Sequence, residues 1–241
     1  MLLEIAVFNV ESAIAAERGG ADRLELCENA AEGGTTPSLG TLKAVRKHVN
    51  IPVFPIIRPR GGDFLYSDVE FEVMKHDVLL CKELGFEGVV IGLLLQDGNV
   101  DTVRTKTLVD LAYPMEVSFH RAFDRAADPF KALEDIITCG CQRILTSGQV
   151  PDANDGKQLI RSLIEKAEDR IIIMPGSGVR SASLPSLIQD TGCNEVHSSA
   201  RMQKGSEMIV LKESMNEEMK SWFVDEEEVR RMKAQIIAVG G

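Results

Sequence analysis

The stretch FPIIRPRGGDFLYSD (54–68) begins as an apolar strand and ends as a charged loop. Phe54, Ile56 and Ile57 are typical of a buried strand, but Arg58 follows at once, and two glycines and an aspartate come soon after it. Charged side chains at the carboxyl end of a strand are typical of the face on which barrel proteins build their sites. The stretch therefore predicts a strand whose end carries function.

The segment that follows, SDVEFEVMKHDVLLCKELG (67–85), has the period of an amphipathic helix. Ser67 is placed to cap its first turn, and Gly85 is placed to end it. The predicted apolar stripe consists of Val69, Val73, Met74, Val78, Leu80, Cys81 and Leu84.

Strand and helix patterns alternate in this way along most of the chain, which predicts a parallel sheet. Eight repeats in about 200 residues favour a closed (β/α)8 TIM barrel. A doubly wound sheet is the alternative, but it usually has a glycine-rich first turn, and FNVESA (8–13) has no glycine. The predicted strands are LLEIAVFN (2–9), RLELCE (23–28), VFPIIR (53–58), GVVIGLL (88–94), EVSFH (116–120), RILTS (143–147), RIIIMP (170–175) and EVHSS (195–199).

We predict a single TIM-barrel domain over 1–241. Residues 201–224 are polar and have no firm period, so they are expected to form a variable excursion. Asp225 and Glu228 then offer a capping box for a closing helix over 225–239.

Composition restricts the partners. Lys and Arg number 27 against 37 Asp and Glu, a net charge of −10, which disfavours nucleic acid. No apolar run reaches the roughly 20 residues that span a bilayer, so no membrane association is expected. The five cysteines are odd in number and lie mostly in apolar segments, which indicates reduced thiols in a cytoplasm.

Alternation along the strands predicts which side chains enter the barrel. The inward set is charged, and buried charges must pair or contact a ligand. A structural ion pair between Glu25 and Arg58 is the plainer alternative. The inward residues are Glu4, Glu25, Cys27, Arg58, His120 and His197.

From this set we predict a catalytic group of Glu25, Arg58, His120, Asp124 and His197. His120 is the candidate general acid/base, because imidazole titrates near neutral pH. Glu25 is its candidate partner or a second base, and Asp124 is expected to orient the mouth.

A glycine-containing loop, MPGSGVRSAS (174–183), follows the seventh strand, where barrels often bind phosphate through backbone N–H groups. An ordinary strand–helix turn is the alternative. The predicted anion-binding residues are Ser147, Gly148, Gly176, Ser177, Gly178, Ser198 and Ser199.

Cysteine supplies the only metal signal. Cys27 lies on the predicted functional face, and a thiolate with histidine or methionine suits Cu(I). The same thiol can also be a nucleophile or a core residue. Cys139 and Cys141 flank Gly140, which is better placed as a helix end.

Several stretches together resemble the CutC family of proposed copper homeostasis proteins. The resemblance implies a cytoplasmic (β/α)8 barrel, often oligomeric, that is linked to copper tolerance and proposed to bind Cu(I) through cysteines. Cys27 matches a family position, whereas Ala6 stands where some relatives carry cysteine. The matching stretches are ESAIAAERGGADRLELC (11–27), EGGTTPS (32–38), IRPRGGDFLYSD (57–68), FHRAFD (119–124), LTSG (145–148), MPGSGV (174–179) and HSSAR (197–201).

Three functions stay open at this point. The first is a copper-handling protein with Cu(I) on Cys27. The second is an enzyme that acts on a small phosphorylated or carboxylated ligand. The third is an interaction scaffold without chemistry. We expect a small anionic ligand or copper as the partner and a homo-oligomer as the assembly.

Overall fold

The computed structural model describes residues 1–210, 212–216 and 218–240, and its first eight strands alternate with helices. These strands are β1 Leu2–Val7, β2 Arg23–Leu26, β3 Val53–Pro55, β4 Gly88–Ile91, β5 Glu116–Phe119, β6 Arg143–Thr146, β7 Ile172–Pro175 and β8 Glu195–Ser198. The helices are α1 Val10–Arg18, α2 Leu39–His48, α3 Asp68–Glu83, α4 Thr102–Ala112, α5 Pro129–Cys139, α6 Lys157–Ala167, α7 Leu184–Thr191 and α8 Glu226–Gly240.

The eight strands pair in parallel in the order of a barrel. One sheet has the order β3-β2-β1-β8, and the other has the order β4-β5-β6-β7. A parallel bridge between Ile56 and Val90 joins the sheets at β3 and β4, where the Ile57 N–H donates to the Val90 carbonyl over 2.8 Å. Across the described ranges no ladder forms between β7 and β8, so the barrel is open at that seam. The predicted TIM-barrel fold is confirmed, but the strands do not form the closed ring that the sequence favoured.

Two apolar clusters show how the strand side chains divide. The larger cluster lies between strands and helices and includes Leu24, Leu26 and Ile57. A smaller cluster inside the barrel contains Cys27 and Ile56, packed with two residues of neighbouring strands. Inward and outward sides therefore follow the predicted alternation.

Helix α3 shows both the success and the limit of the periodic pattern. Ser67 and Glu70 form a reciprocal capping box at its start, as the sequence suggests. The buried row is Met74, Val78 and Cys81, whereas Val69 is 75% exposed. The predicted stripe was too wide, because only the row spaced by four and three residues is fully buried, whereas Leu80 and Leu84 pack against the core but are partly buried.

The predicted excursion contains regular structure. Strands β9 (Arg201–Gly205) and β10 (Lys220–Val224) form an antiparallel ribbon, followed by α8. The Asp225 carboxylate accepts from the N–H of Glu228 at 3.2 Å, while the Glu228 carboxylate accepts from the Ser181 N–H at 2.8 Å. Helix α8 thus holds the loop that follows β7. Among the described helices, none has the length and apolar character that a bilayer crossing needs.

Candidate functional site

A cavity of about 940 Å³ opens at the carboxyl ends of the strands. All five residues of the predicted catalytic group line it: Glu25, Arg58, His120, Asp124 and His197. Strands β2 and β8 place Glu25 and His197 on the cavity floor, and the loops after β3 and β5 place the rest. The convergence follows from parallel strands whose carboxyl ends meet at one face.

His197 lies between two buried glutamates. Its Nδ1 is 2.8 Å from Oε1 of Glu4, and its Nε2 is 3.8 Å from Oε2 of Glu25. Burial lowers the pKa of His197, but the hydrogen bond to Glu4 and the charges of both glutamates outweigh burial and raise it. Burial raises the pKa of Glu25, against the opposing effect of His197. The three side chains can therefore hold and move a proton at the cavity floor.

Glu4 stays ionised in this group. Burial raises its pKa, but Arg23 and His197 outweigh burial and bring it down to about 2. Arg23 pairs with Glu4 and, at 2.5 Å, with Glu195. Arg143 continues the chain of ion pairs, 3.3 Å from Glu195. Glu4 thereby links the candidate site to a charged network deeper in the barrel.

Arg58 does not form the ion pair with Glu25 that the sequence left open. Its guanidinium donates to the carbonyls of Glu32, Gly34 and Gly62 at 2.6, 2.7 and 2.8 Å. Its Nε is buried and has no hydrogen-bond acceptor among the described residues. Arg58 therefore fixes the loops after β2 and β3 and keeps one donor for another group.

His120 is held in one tautomer. Its Nδ1 accepts from the Ala122 N–H at 3.1 Å, so the ring proton is on Nε2. That Nε2 is buried without an acceptor in the described part of the chain. Burial, and then the charge of Arg58, lower the pKa of His120 to about 3. The expectation that His120 titrates near neutral pH therefore does not hold, and the ring is a neutral donor.

Asp124 organises the loop after β6. Its carboxylate accepts from the Ser147 N–H at 3.1 Å and from Thr146 Oγ1, and it pairs with Arg121 at 2.7 Å. Ser147 is completely buried, and the Gly148 N–H donates to Thr146 Oγ1. Neither Ser147 nor Gly148 lines the cavity, because this internal network occupies both.

The loop after β7 does present backbone donors. Ser177, Gly178, Ser198 and Ser199 line the cavity, whereas the Gly176 N–H donates to the Thr146 carbonyl. Within the described ranges, the N–H groups of residues 177–179 have no acceptor. Ser177 holds a left-handed φ of +85°, a conformation that costs about 1–3 kcal/mol and clusters at functional sites.

Arginines at the mouth were missed from the sequence. Arg125, Arg180 and Arg201 line the cavity, and none forms an ion pair with a carboxylate of the described residues. Arg125 follows FHRAFD (119–124), Arg180 lies in MPGSGVRSAS (174–183) and Arg201 ends HSSAR (197–201), but only the barrel topology shows that they meet. The chain is acidic overall, yet these three arginines gather at one mouth, and cations placed in this way can hold an anion.

Cys27 lies beside the cavity but does not line it. Its thiol is 1% exposed and packs in the inner apolar cluster, and burial followed by the charge of Glu25 raises its pKa well above the ordinary value. Ala6 occupies the inward position on the neighbouring strand, opposite Glu25. Among the described residues no group of three His, Cys, Asp or Glu side chains is placed to hold a metal.

The fold and the site together define a parallel β/α barrel with a polar, cation-rimmed cavity at its carboxyl end. The CutC family model matches residues 1–202, and the chain therefore belongs to the CutC family. The family protein CutC of Chromobacterium violaceum is 53% identical over 207 residues, 86% of this chain and 84% of that protein.

Two further comparisons agree. The copper homeostasis protein cutC homolog of Homo sapiens is 51% identical over 86% of this chain and 76% of its own length. The solved structure of CutC from Streptococcus agalactiae has a TM-score of 0.79 and 32% identity, over 83% of this chain and 98% of that one. A link to copper homeostasis is thus carried by the relatives, whereas the residues around Cys27 do not fit a copper centre with several ligands.

Proposed function

We propose that this chain takes part in copper homeostasis, the role in the name of its human relative, and that its direct ligand is a small phosphorylated or carboxylated compound. The observation that carries the proposal is the mouth after β7 and β8. There, free backbone N–H groups face the same cavity as arginines without carboxylate partners among the described residues. Such donors favour an anion in a partly desolvated site.

We further propose proton transfer by His197. Glu4 fixes the ring through Nδ1 and favours its charged form, while Nε2 is directed toward the Glu25 side of the cavity. A histidine whose pKa is raised can act as a general acid near neutral pH, and Glu25 can take up or return the proton. In this proposal His120 binds the ligand as a neutral donor and does not exchange protons.

The anion site is tested by calorimetric titration with inorganic phosphate and with acetate. We expect one of them to bind the native chain, and Arg180→Gln to weaken that binding about tenfold, the scale of one charge-assisted hydrogen bond. Arg170→Gln is the matched control. Arg170 does not line the cavity, and its guanidinium lies 2.7 Å from the carboxylate of Glu134. If neither anion binds the native chain, the proposal is wrong. If Arg180→Gln and Arg170→Gln lose the same affinity for the anion, Arg180 does not belong to the binding site.

Cu(I) binding through Cys27 is the second candidate, and the names of the relatives favour it. An anaerobic competition titration with a Cu(I) chelator compares the native chain with Cys27→Ser and with the control Cys193→Ser. The buried, lone thiol leads us to expect the same Cu(I) affinity in all three. A loss confined to Cys27→Ser would establish the cysteine as a copper ligand.

A cytoplasmic location is part of the proposal. All five cysteines are free and buried, which suits a reducing compartment. Subcellular fractionation tests this, and recovery of the chain from an oxidising compartment would refute it.

We also propose a homo-oligomer. The segment between β9 and β10 exposes Met208, Ile209 and Val210, and Ile209 is 99% exposed. Exposed apolar groups of this kind often mark contacts between proteins. Light scattering on the purified chain measures its mass in solution. A monomer mass at high concentration would contradict the proposed homo-oligomer.

A further inference from the structure

The cavity has two chemically different sides. Arg180 comes from the loop after β7, and Arg201 begins β9 just after β8. Phe64, Leu65 and Leu95 come from the loops after β3 and β4. In a ring of eight strands in chain order, the β3–β4 pair lies across the barrel from the β7–β8 pair. The cationic side and the apolar side therefore face each other across the mouth.

The apolar side is a firmly built surface. The Phe64 ring lies between the guanidinium carbon of Arg58, 5.0 Å from its centroid, and the His120 ring, 5.0 Å between centroids. The Leu94 N–H donates to the Phe64 carbonyl at 2.9 Å, which joins the two loops. Leu65 remains 45% exposed beside them. The Phe64 ring lines the cavity and, fixed in this way, offers it a rigid apolar contact.

Charges on the apolar side offset one another. Glu32 lines this part of the cavity next to Gly61, and the Arg58 guanidinium lies beside it, 2.6 Å from the Glu32 carbonyl and packed against Phe64. This side therefore has no excess of positive charge for a second anionic group, in contrast to the loops after β7 and β8. An uncharged body suits the surface formed by Phe64 and the leucines.

We infer that the ligand is an aromatic or similarly flat apolar compound with a single phosphate or carboxylate head. The head lies at the loops after β7 and β8, and the apolar body lies against Phe64, Leu65 and Leu95. This inference rests on the proposed function, since it names the class of ligand for the same site.

The test compares phenyl phosphate with methyl phosphate by calorimetry on the full chain. Both carry the same head, so the difference reports the body alone. We expect phenyl phosphate to bind about tenfold or more tightly, the effect of burying a ring. Phenylacetate and acetate repeat the comparison for a carboxylate head.

Variants locate the effect. The double variant Leu65→Asn with Leu95→Asn changes two exposed side chains, and we expect it to lose most of the phenyl advantage and to bind methyl phosphate unchanged. Leu79→Asn is the matched control, because Leu79 on α3 has the same 44% exposure as Leu95. Phe64→Ala is a second variant with the same expected loss.

The outcomes separate the two proposals. Equal affinity for phenyl and methyl phosphate would overturn the inference and leave the anion site intact. A phenyl advantage that survives in both the leucine and the Phe64 variants would overturn it as well. Failure of all phosphates and carboxylates to bind would overturn the proposed function, and this inference with it.

Discussion

His120 gives the sharpest prediction about stability. Its pKa in the folded chain is about 3, lowered first by burial and then by Arg58, against about 6.5 for an unfolded histidine. The unfolded chain therefore binds a proton that the folded chain rejects whenever the pH lies between these values. Neutral His120 therefore contributes its full stabilisation above pH 6.5. As the pH falls below that value, the free energy of unfolding decreases by about 1.4 kcal/mol per pH unit.

The assay is urea denaturation at a pH of about 6.5 and a pH of about 5.0. His120 alone predicts a loss of about 2 kcal/mol in the free energy of unfolding over this interval. His120→Asn keeps an acceptor for the Ala122 N–H and does not titrate, so its loss should be smaller by that amount. His48→Asn, at the exposed end of α2, should behave as the native chain. Equal losses in the native chain and His120→Asn would refute the reasoning, because His120 would then bind its proton in the folded state.

Two further substitutions test packing and charge. Gly176→Ala should destabilise the chain by about 1–3 kcal/mol by thermal or urea unfolding, because a Cβ would lie 2.5 Å from Leu145 Cδ1. Gly205→Ala has open space and should change little, so similar losses would contradict the packing argument. Glu4→Gln should cost about 3–5 kcal/mol, because it removes the buried negative charge that Arg23 and His197 share. Glu134→Gln, at an exposed ion pair, should lower the free energy of unfolding by less than about 1 kcal/mol. An equally small effect of Glu4→Gln would contradict the prediction and show that water enters the network.

The fold was readable from the sequence because its signals are local and repeat. Alternation along RLELCE (23–28) separates Leu24 and Leu26, which pack outward, from Glu25 and Cys27, which point inward. Caps such as Asp128 before Pro129 also depend only on neighbouring residues. Such signals need no knowledge of which loops meet.

The candidate site was readable only in part, because its properties depend on distant contacts. Asp124 was expected to orient the mouth. The groups that donate hydrogen bonds to its carboxylate are in Thr146 and Ser147, at the end of β6 and just after it, which the sequence around Asp124 does not reveal. Ser147 was expected to bind an anion, yet its hydroxyl bonds to Asp124 at 2.9 Å. The direction of the pKa shift of His120 depends first on burial and then on the charge of Arg58, neither of which a single sequence reveals.

The charged interior explains why Glu25 is the most available proton acceptor of the network. Glu4, Glu195 and Glu116 supply three negative charges, and Arg23, Arg143 and charged His197 supply three positive ones, so this set is balanced. Glu25 is a seventh charge, and burial, aided by nearby Glu4, raises its pKa. A buried carboxylate without its own cation gains most from taking up a proton or from contact with a cationic His197. The proposed proton exchange is therefore expected at the end of the network that faces the cavity, where an anion held at the β7–β8 loops would lie.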